Sequence, residues 1–142
     1  MAITVKLYRP VGLKELELIL TSGWKEFPPR LEWQPIFYPV LNETYASQIA
    51  RDWNTKDEFS GYCGVVTVFD LEKDHFLKYS VQEVGGLIHR ELWVPASELA
   101  EFNGHLSGGI RVTNAFFGER FVMPENSEMV KVLEKFRQND SQ

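Results

Sequence analysis

The chain has 142 residues, which is the size of one ordinary domain and leaves no room for a second large one. Its hydrophobic content of 44% is enough to build a buried core, and its net charge of −5 gives no basic footprint for nucleic acid. No apolar run approaches the roughly 20 residues that span a bilayer, so we expect a folded, water-soluble protein without a membrane partner.

The first predicted elements are a strand and a helix. Apolar and polar residues alternate over residues 3–8, which indicates a half-buried strand. We expect Arg9 at the end of this strand. Apolar residues from Leu13 recur at helical spacing, and Gly23 is placed to end that helix in a left-handed conformation. Prolines and aromatic residues then dominate residues 24–35, which predicts a rigid loop suited to wall a pocket.

A short strand, a capped helix and the strongest strand of the chain come next. Prolines bound the aromatic residues 35–40, which favours an edge strand because proline donates no backbone hydrogen bond. Asn42 is suited to cap the following helix. The apolar face of that helix carries Tyr45, Ala46, Ile49, Ala50 and Trp53. Residues 62–69 are rich in β-branched and aromatic side chains, so we expect them at the centre of a sheet.

Residues 87–94 alternate in a pattern that predicts a further strand. Just before it, Gly85-Gly86 allows the backbone to turn. The side chains expected to face the core are Ile88, Leu92 and Val94. His89 and Glu91 therefore share the opposite face, because side chains alternate along a strand.

The last predicted elements complete an α+β domain. Pro95 is suited to the first position of a helix that Gly108-Gly109 stops. The elements that follow are a strand over residues 110–117 and a helix over residues 124–137. The later strands lie too close together in the chain for parallel crossovers. We therefore predict a single α+β domain over residues 1–137 with a frayed tail over residues 138–142.

The motifs of several large enzyme classes are missing from the sequence. It has no Gly-x-Gly-x-x-Gly after a strand, no phosphate loop and no Gly-x-Ser-x-Gly elbow. His75, His89 and His105 lie on different predicted elements without the spacing of a zinc motif, so no metal site is expected. Cys63 is expected to be a buried, unreactive thiol in the central strand. A single cysteine cannot form an internal disulfide, which indicates a cytoplasmic setting.

Four polar residues remain at strand ends and on one strand face: Arg9, Tyr38, His89 and Glu91. Each of them also has a purely structural explanation. Arg9 fits equally well as a surface cation, Tyr38 as a packing aromatic, and the other two as part of a solvated sheet face. The pattern alone leaves these alternatives open.

The order of these residues resembles the ADP-ribosyltransferase-like fold. The features that carry the resemblance are Arg9 after a first strand, a helix ending in Ser22-Gly23-Trp24, then Pro35-Ile36-Phe37-Tyr38, and Glu91-Leu92-Trp93-Val94-Pro95 before a helix. More narrowly, residues 5–117 are similar to small bacterial proteins labelled "ADP-ribosylation/crystallin J1". The crystallin half of that label refers to an all-helical, metal-dependent hydrolase, which this strand-rich pattern does not fit. The resemblance implies a split mixed or antiparallel sheet flanked by helices.

The resemblance also implies that three strands each bring one residue to a split in the sheet that holds NAD. It assigns Arg9 to the pyrophosphate or the nicotinamide ribose, and Tyr38 to stacking on the nicotinamide. Tyr8, the neighbour of Arg9, joins this cofactor-binding set. Glu91 is implied as the catalytic carboxylate on a ribose hydroxyl. His89 stands where some members of the family keep a Gln or Glu that orients the acceptor.

These roles imply that NAD is the substrate, cleaved between nicotinamide and ribose by an ADP-ribosyltransferase or NAD glycohydrolase. Nicotinamide leaves as a neutral molecule, so the site needs no protonated acid. One carboxylate is enough to stabilise the positive charge that develops on the ribose. The expected partners are NAD or ADP-ribose and an acceptor that the sequence does not define. The alternative is an inactive module of the same fold that binds a nucleotide or a protein, whereas RNA 2′-phosphotransfer is disfavoured by the acidic charge balance.

Overall fold

A three-stranded antiparallel sheet in the order β1-β3-β7 forms the centre of the structure, a computed structural model that describes residues 3–140. Its strands are β1 (Thr4–Val11), β3 (Cys63–Glu72) and β7 (Leu106–Phe117). Two short antiparallel pairs accompany it: β2 (Ile36–Phe37) with β6 (Val94–Pro95), and β4 (Gln82–Glu83) with β5 (Arg90–Glu91). The predicted central position of the strand around residues 62–69 is confirmed, since β3 pairs with both neighbours.

Five α-helices surround these strands within residues 3–140. They are α1 (Leu13–Thr21), α2 (Glu43–Asp52), α3 (Lys73–Phe76), α4 (Leu99–Gly104) and α5 (Ser127–Asp140). The predicted cap of α2 is confirmed, because Asn42 Oδ1 accepts a hydrogen bond from the Tyr45 N–H at 2.8 Å. Gly23 follows α1 with a φ of 79°, as its predicted left-handed conformation requires. None of the helices within residues 3–140 combines the length and the apolar composition needed to cross a membrane.

Two groups of buried side chains hold the sheet and helices together. The larger group includes four phenylalanines whose rings contact one another edge to face or at a tilt: Phe27, Phe37, Phe69 and Phe102. The smaller group lies between α2 and β3 and consists of Val40, Ala46, Ala50 and Val66. These small residues let the helix approach the strand closely. At Gly64 of β3, an added Cβ would lie only 2.6 Å from the Cα of Ala50. The architecture is therefore an α+β domain, as predicted.

The structure corrects the predicted strand over residues 87–94. In this region only residues 90–91 and 94–95 pair with other strands. The chain changes partner between these two pairs, because Glu91 pairs with β4 and Val94 pairs with β2. Gly85 turns the chain with a φ of 142°, and Leu87 lies 90% exposed. Of the three residues expected to face the core, Leu92 and Val94 are fully buried, whereas Ile88 is only half-buried.

The helix after Pro95 and the apolar face of α2 are also corrected. Pro95 belongs to β6, and α4 ends at Gly104 rather than at Gly108-Gly109, because β7 starts at Leu106 and pairs with β3. Trp53 follows the end of α2 and is 59% exposed rather than buried.

The C-terminal tail is also corrected. Helix α5 reaches Asp140, within the predicted tail, and residues 141–142 of that tail lie outside the described part of the chain.

Val40 connects the central sheet to the short strand pairs. It forms antiparallel bridges with Tyr8 of β1 on one side and with Glu91 of β5 on the other. Its N–H donates to the Tyr8 carbonyl oxygen at 2.7 Å, and its own carbonyl oxygen accepts from the Tyr8 N–H at 2.9 Å. Before this bridge the chain runs away from β1, because Ile36 and Phe37 pair with β6 instead. The backbones of β1 and β2 therefore diverge before this bridge, and the Arg9 side chain lies between them against Phe37 and Tyr38.

Candidate functional site

A cleft of about 530 Å³ is lined by residues from the end of β1, the proline-rich loop and the segments that follow β2 and α2. This volume lies in the range of ligand pockets, which usually hold about 300–1,000 Å³. Its charged lining residues are Arg9, Lys14, Glu15, Arg30, Asp57 and Glu91. Its aromatic lining residues are Tyr38, Trp53, Phe59 and Trp93. The cleft thus combines three cations, three carboxylates and four aromatic rings.

Arg9 lies in the cleft wall and is already held there by several contacts. Its Nε and one terminal nitrogen donate to the two carboxylate oxygens of Glu15 at 2.6 and 2.9 Å. Its other terminal nitrogen lies 3.4 Å from the carbonyl oxygen of Tyr38, and its guanidinium lies 4.6 Å from the centre of the Phe37 ring. With 7% of its surface exposed, Arg9 is not a surface cation. It links β1, α1 and β2 at the point where the cleft opens.

Arg30 is a second guanidinium of the cleft and was not among the residues selected from the sequence. Its Nε donates to the carbonyl oxygen of Ile36 at 3.1 Å, and no carboxylate pairs with it within the described residues. Burial, and then the nearby charge of Arg9, lower the pKa of Arg30. The only hint in the sequence was that Arg30 lies in the proline-rich loop expected to wall a pocket. That expectation is confirmed, because Arg30 and Gln34 both line the cleft.

Glu91 lies on the same cleft, with its carboxylate fixed by two hydrogen bonds. One oxygen accepts from the hydroxyl of Tyr45 at 2.8 Å, and the other accepts from the indole N–H of Trp93 at 2.8 Å. Burial, and then the hydrogen bond and charge of Glu91, raise the pKa of Tyr45 to about 12. Tyr45 therefore stays protonated at neutral pH and donates to Glu91. The carboxylate is held in one orientation before any ligand arrives.

Four aromatic side chains lie exposed along the rim of the cleft. Tyr38 is 41% exposed and Trp93 46% exposed, and Trp53 and Phe59 are more exposed still. Exposed rings around one concave site favour binding of a planar ring by stacking. Tyr38 lies beside the cleft, and its carbonyl oxygen is near the guanidinium of Arg9.

Residues 54–60, which follow α2, form one wall of the cleft. Asn54 donates to the Ser60 hydroxyl at 2.9 Å, and this hydroxyl donates to Asp57 Oδ2 at 2.6 Å. Ser60 packs so tightly on the start of α1 that a Cβ at Gly12 would lie 2.6 Å from its Cα. The buried oxygen Asn54 Oδ1 has no hydrogen-bond partner in the described part of the chain. This wall therefore offers one spare acceptor for a ligand N–H or O–H.

His89 and Tyr8 do not belong to the cleft lining. His89 Nε2 lies 3.0 Å from Gln48 Oε1. The His89 ring also contacts the Tyr45 ring edge to face, with 4.8 Å between ring centres. Tyr8 packs against the smaller core group beside α2, and burial raises its pKa. The structure thus brings Arg9, Tyr38 and Glu91 to one cleft and leaves the other two selected residues on the side of α2.

Comparisons with protein-family models, with curated proteins and with solved structures found no match to this chain. The function of the cleft must therefore be inferred from its own chemistry. Its features are a fixed carboxylate, a guanidinium without a carboxylate partner and a rim of aromatic rings. An anionic ligand that carries planar rings fits this combination.

Proposed function

We propose that the cleft binds NAD and cleaves its bond between nicotinamide and ribose, as an NAD glycohydrolase or ADP-ribosyltransferase. The observation that carries the proposal is the carboxylate of Glu91, which two hydrogen bonds orient on a cleft that also contains Arg9, Arg30 and Tyr38. The divergence of β1 and β2 at this cleft supports the finer proposal of a split, ADP-ribosyltransferase-like sheet.

The cations of the cleft suit the pyrophosphate of NAD. A guanidinium offers a planar set of donors that matches phosphate oxygens. Arg30 is the better candidate for direct contact, because its terminal nitrogens have no carboxylate partner in the described part of the chain. Arg9 adds positive charge nearby, but its Nε and one terminal nitrogen already donate to Glu15. We assign Arg9 mainly to holding the cleft open and Arg30 to the phosphates.

Glu91 and the aromatic rim account for the chemical step. Tyr38 and Trp93 stack on the nicotinamide and hold its ring beside the carboxylate. When the bond between the ribose carbon and the nicotinamide nitrogen breaks, its electron pair goes to the nitrogen, and nicotinamide leaves neutral. Glu91 stabilises the positive charge that develops on the ribose. An acceptor oxygen then bonds to the ribose carbon and releases its proton.

Water is the acceptor that the geometry favours. In the resembled family, a side chain two residues before the catalytic carboxylate orients a larger acceptor, and that position is His89 here. His89 contacts Gln48 and lies outside the cleft lining. Without a second polar group beside Glu91 from this position, hydrolysis of NAD becomes the expected basal reaction.

The experiment measures nicotinamide released from NAD by the wild type and by Glu91→Gln. We expect release by the wild type and a loss on the order of 10²–10³ in rate for the variant, since a preorganised electrostatic group is removed. Glu119→Gln, which alters an exposed carboxylate away from the cleft lining, is the matched control and should keep the wild-type rate. Equal rates in all three proteins would show that Glu91 is not the catalytic carboxylate.

The second candidate is an inactive module that binds a nucleotide. It is favoured by the close pairing of Arg9 with Glu15, which occupies the residue assigned to the cofactor. Calorimetry with NAD and ADP-ribose separates the two functions. Saturable binding without nicotinamide release identifies the module, whereas release that depends on Glu91 excludes it.

A further inference from the structure

Two of the three histidines come together away from the cleft, together with a carboxylate. His75 lies in α3, Glu101 in α4, and His105 directly follows α4. One ligand atom from each of the three lies within 4.8 Å of the others. The sequence places these histidines on different elements, as expected, but the fold stacks their rings with 4.3 Å between the ring centres. Their proximity is a tertiary feature that spacing along the chain does not reveal.

The hydrogen bonds around His75 assign the proton of its ring. Tyr79 donates its hydroxyl proton to Glu98 at 3.2 Å, and the same hydroxyl oxygen lies 3.3 Å from His75 Nε2. Because the hydroxyl proton is directed to Glu98, Nε2 must be the donor to Tyr79. The lone pair of His75 is therefore on Nδ1. This atom is buried without a hydrogen-bond partner in the described part of the chain, in a residue only 3% exposed.

His105 is oriented in a similar way by a carboxylate. Its Nδ1 lies 3.2 Å from Glu72 Oε1, so Nδ1 carries the proton and Nε2 carries the lone pair. A histidine whose second nitrogen donates to a carboxylate is the usual arrangement around protein-bound metal ions. Both imidazoles thus have one nitrogen committed to a hydrogen bond and one lone pair left for a ligand.

We propose that His75 Nδ1, His105 Nε2 and the carboxylate of Glu101 bind one divalent transition-metal ion such as Zn²⁺. Two imidazoles and one carboxylate suit Zn²⁺, Ni²⁺ or Cu²⁺ and are unsuited to Mg²⁺ or Ca²⁺, which prefer oxygen ligands only. Three protein ligands leave a further position for water. The ion would connect α3 to α4 and stabilise the folded chain in proportion to its occupancy.

Binding needs only small movements of the more exposed groups. The two rings are nearly parallel, with 15° between their planes, so their lone pairs do not yet converge on one point. His105, whose side chain is 39% exposed, turns out of the stack, and His75 keeps its buried position. Glu101 gives up an exposed contact of 3.6 Å with Lys78, and such surface pairs contribute little.

The experiment titrates chelator-treated protein with ZnCl₂ by calorimetry near neutral pH. We expect one ion per chain and a higher unfolding temperature in the presence of Zn²⁺. Glu101→Gln and His105→Gln each remove one ligand and should weaken binding by at least about tenfold, because even loss of an outer partner of a metal ligand costs about 10–100-fold. These variants leave buried His75 in place, so they keep the core intact.

His89→Gln is the matched control, since it removes the one histidine outside this group and should bind Zn²⁺ as the wild type does. Lys78→Gln removes the cation that competes for Glu101 and should bind at least as tightly. The proposal is overturned if Zn²⁺ does not saturate the wild type at millimolar concentration. It is equally overturned if the Glu101 and His105 variants bind like the wild type, or if His89→Gln weakens binding as much as they do.

Discussion

Arg9 and Arg30 are both guanidinium groups of the same cleft, but their surroundings give them different tasks. Arg9 pairs with both oxygens of Glu15 and stacks over Phe37, so its removal would leave a partly buried carboxylate without its partner. Arg30 has one hydrogen bond to a backbone carbonyl and no carboxylate partner within residues 3–140. The sequence pointed to Arg9 because the alternating pattern of residues 3–8 predicted that the strand ends there. In the structure β1 continues to Val11, and Arg9 lies within the strand, paired with Thr67 of β3. The sequence offered no reason to select Arg30, which lies in a loop without periodicity.

Substitution of the two arginines should therefore separate stability from affinity. We expect Arg9→Gln to lower the free energy of unfolding by about 1–3 kcal/mol, the cost of leaving a charged partner unsatisfied. Arg30→Gln should change stability little and weaken NAD binding by about 10–100-fold, the equivalent of one lost charge-assisted hydrogen bond. Urea unfolding and calorimetry measure the two effects. The reverse result, with Arg30 needed for stability and Arg9 for binding alone, would contradict the assignment.

Tyr45 gives a prediction of pH dependence. Its pKa is raised in the folded protein from the ordinary 10.0 to about 12, so its contribution to stability is complete below pH 10. As the pH rises from 10 to 12, the tyrosine of the unfolded chain loses its proton first, and the contribution is lost. Tyr45→Phe should lose less stability over this range than the wild type. Burial also raises the pKa values of Tyr8 and Tyr79. Both the wild type and Tyr45→Phe should therefore still lose some stability over this pH range.

Urea unfolding at several pH values measures this difference. Tyr38→Phe is the matched control, because it alters a tyrosine that lines the cleft and leaves Tyr45 with its partner Glu91 in place. The control should lose stability as the wild type does. An identical loss in Tyr45→Phe and the wild type would show that burial and the contact with Glu91 do not raise the pKa of Tyr45.

At the scale of elements, local signals were predictive and changes of strand partner were not. Asn42 capped α2 as predicted, because the interaction involves a residue only three positions away. Residues 63–69 lie in the central strand β3, where all of them are buried. The segment 87–94 alternates like one strand but divides between two partners, which depends on where β2 and β4 lie. No pattern within the segment encodes that division.

The contact between α2 and β3 gives a prediction at this scale. Gly64→Ala would put a Cβ 2.6 Å from the Cα of Ala50 and should destabilise the protein by about 1–3 kcal/mol through overpacking. Gly104→Ala is the matched control. Outside the helix itself, no atom lies within 4 Å of a Cβ added at Gly104, and this last residue of α4 does not have a left-handed backbone conformation. It should be neutral or stabilising by up to about 1 kcal/mol. Thermal unfolding compares the two, and equal effects would contradict the close approach.

At the scale of the whole molecule, the cleft is assembled from segments that are far apart in the chain. Arg9 and Glu15 come from the first elements, Arg30 from the proline-rich loop, Tyr38 from the residue after β2, and Glu91 from β5. The sequence suggested three of these five through a resemblance that orders residues along strands. It missed Arg30 and Glu15 because their roles depend on tertiary contacts, and it selected His89, which lies outside the lining.

The central claim is that one dinucleotide spans this cleft, with its reacting ribose at the carboxylate of residue 91. A crystal structure of Glu91→Gln with saturating NAD tests it most directly, since the variant is expected to bind NAD without consuming it. The account predicts the nicotinamide ribose within hydrogen-bond distance of residue 91, the pyrophosphate at Arg30 and the nicotinamide ring against Tyr38 or Trp93. A cleft without NAD at saturating concentration, or NAD bound elsewhere on the chain, would contradict it.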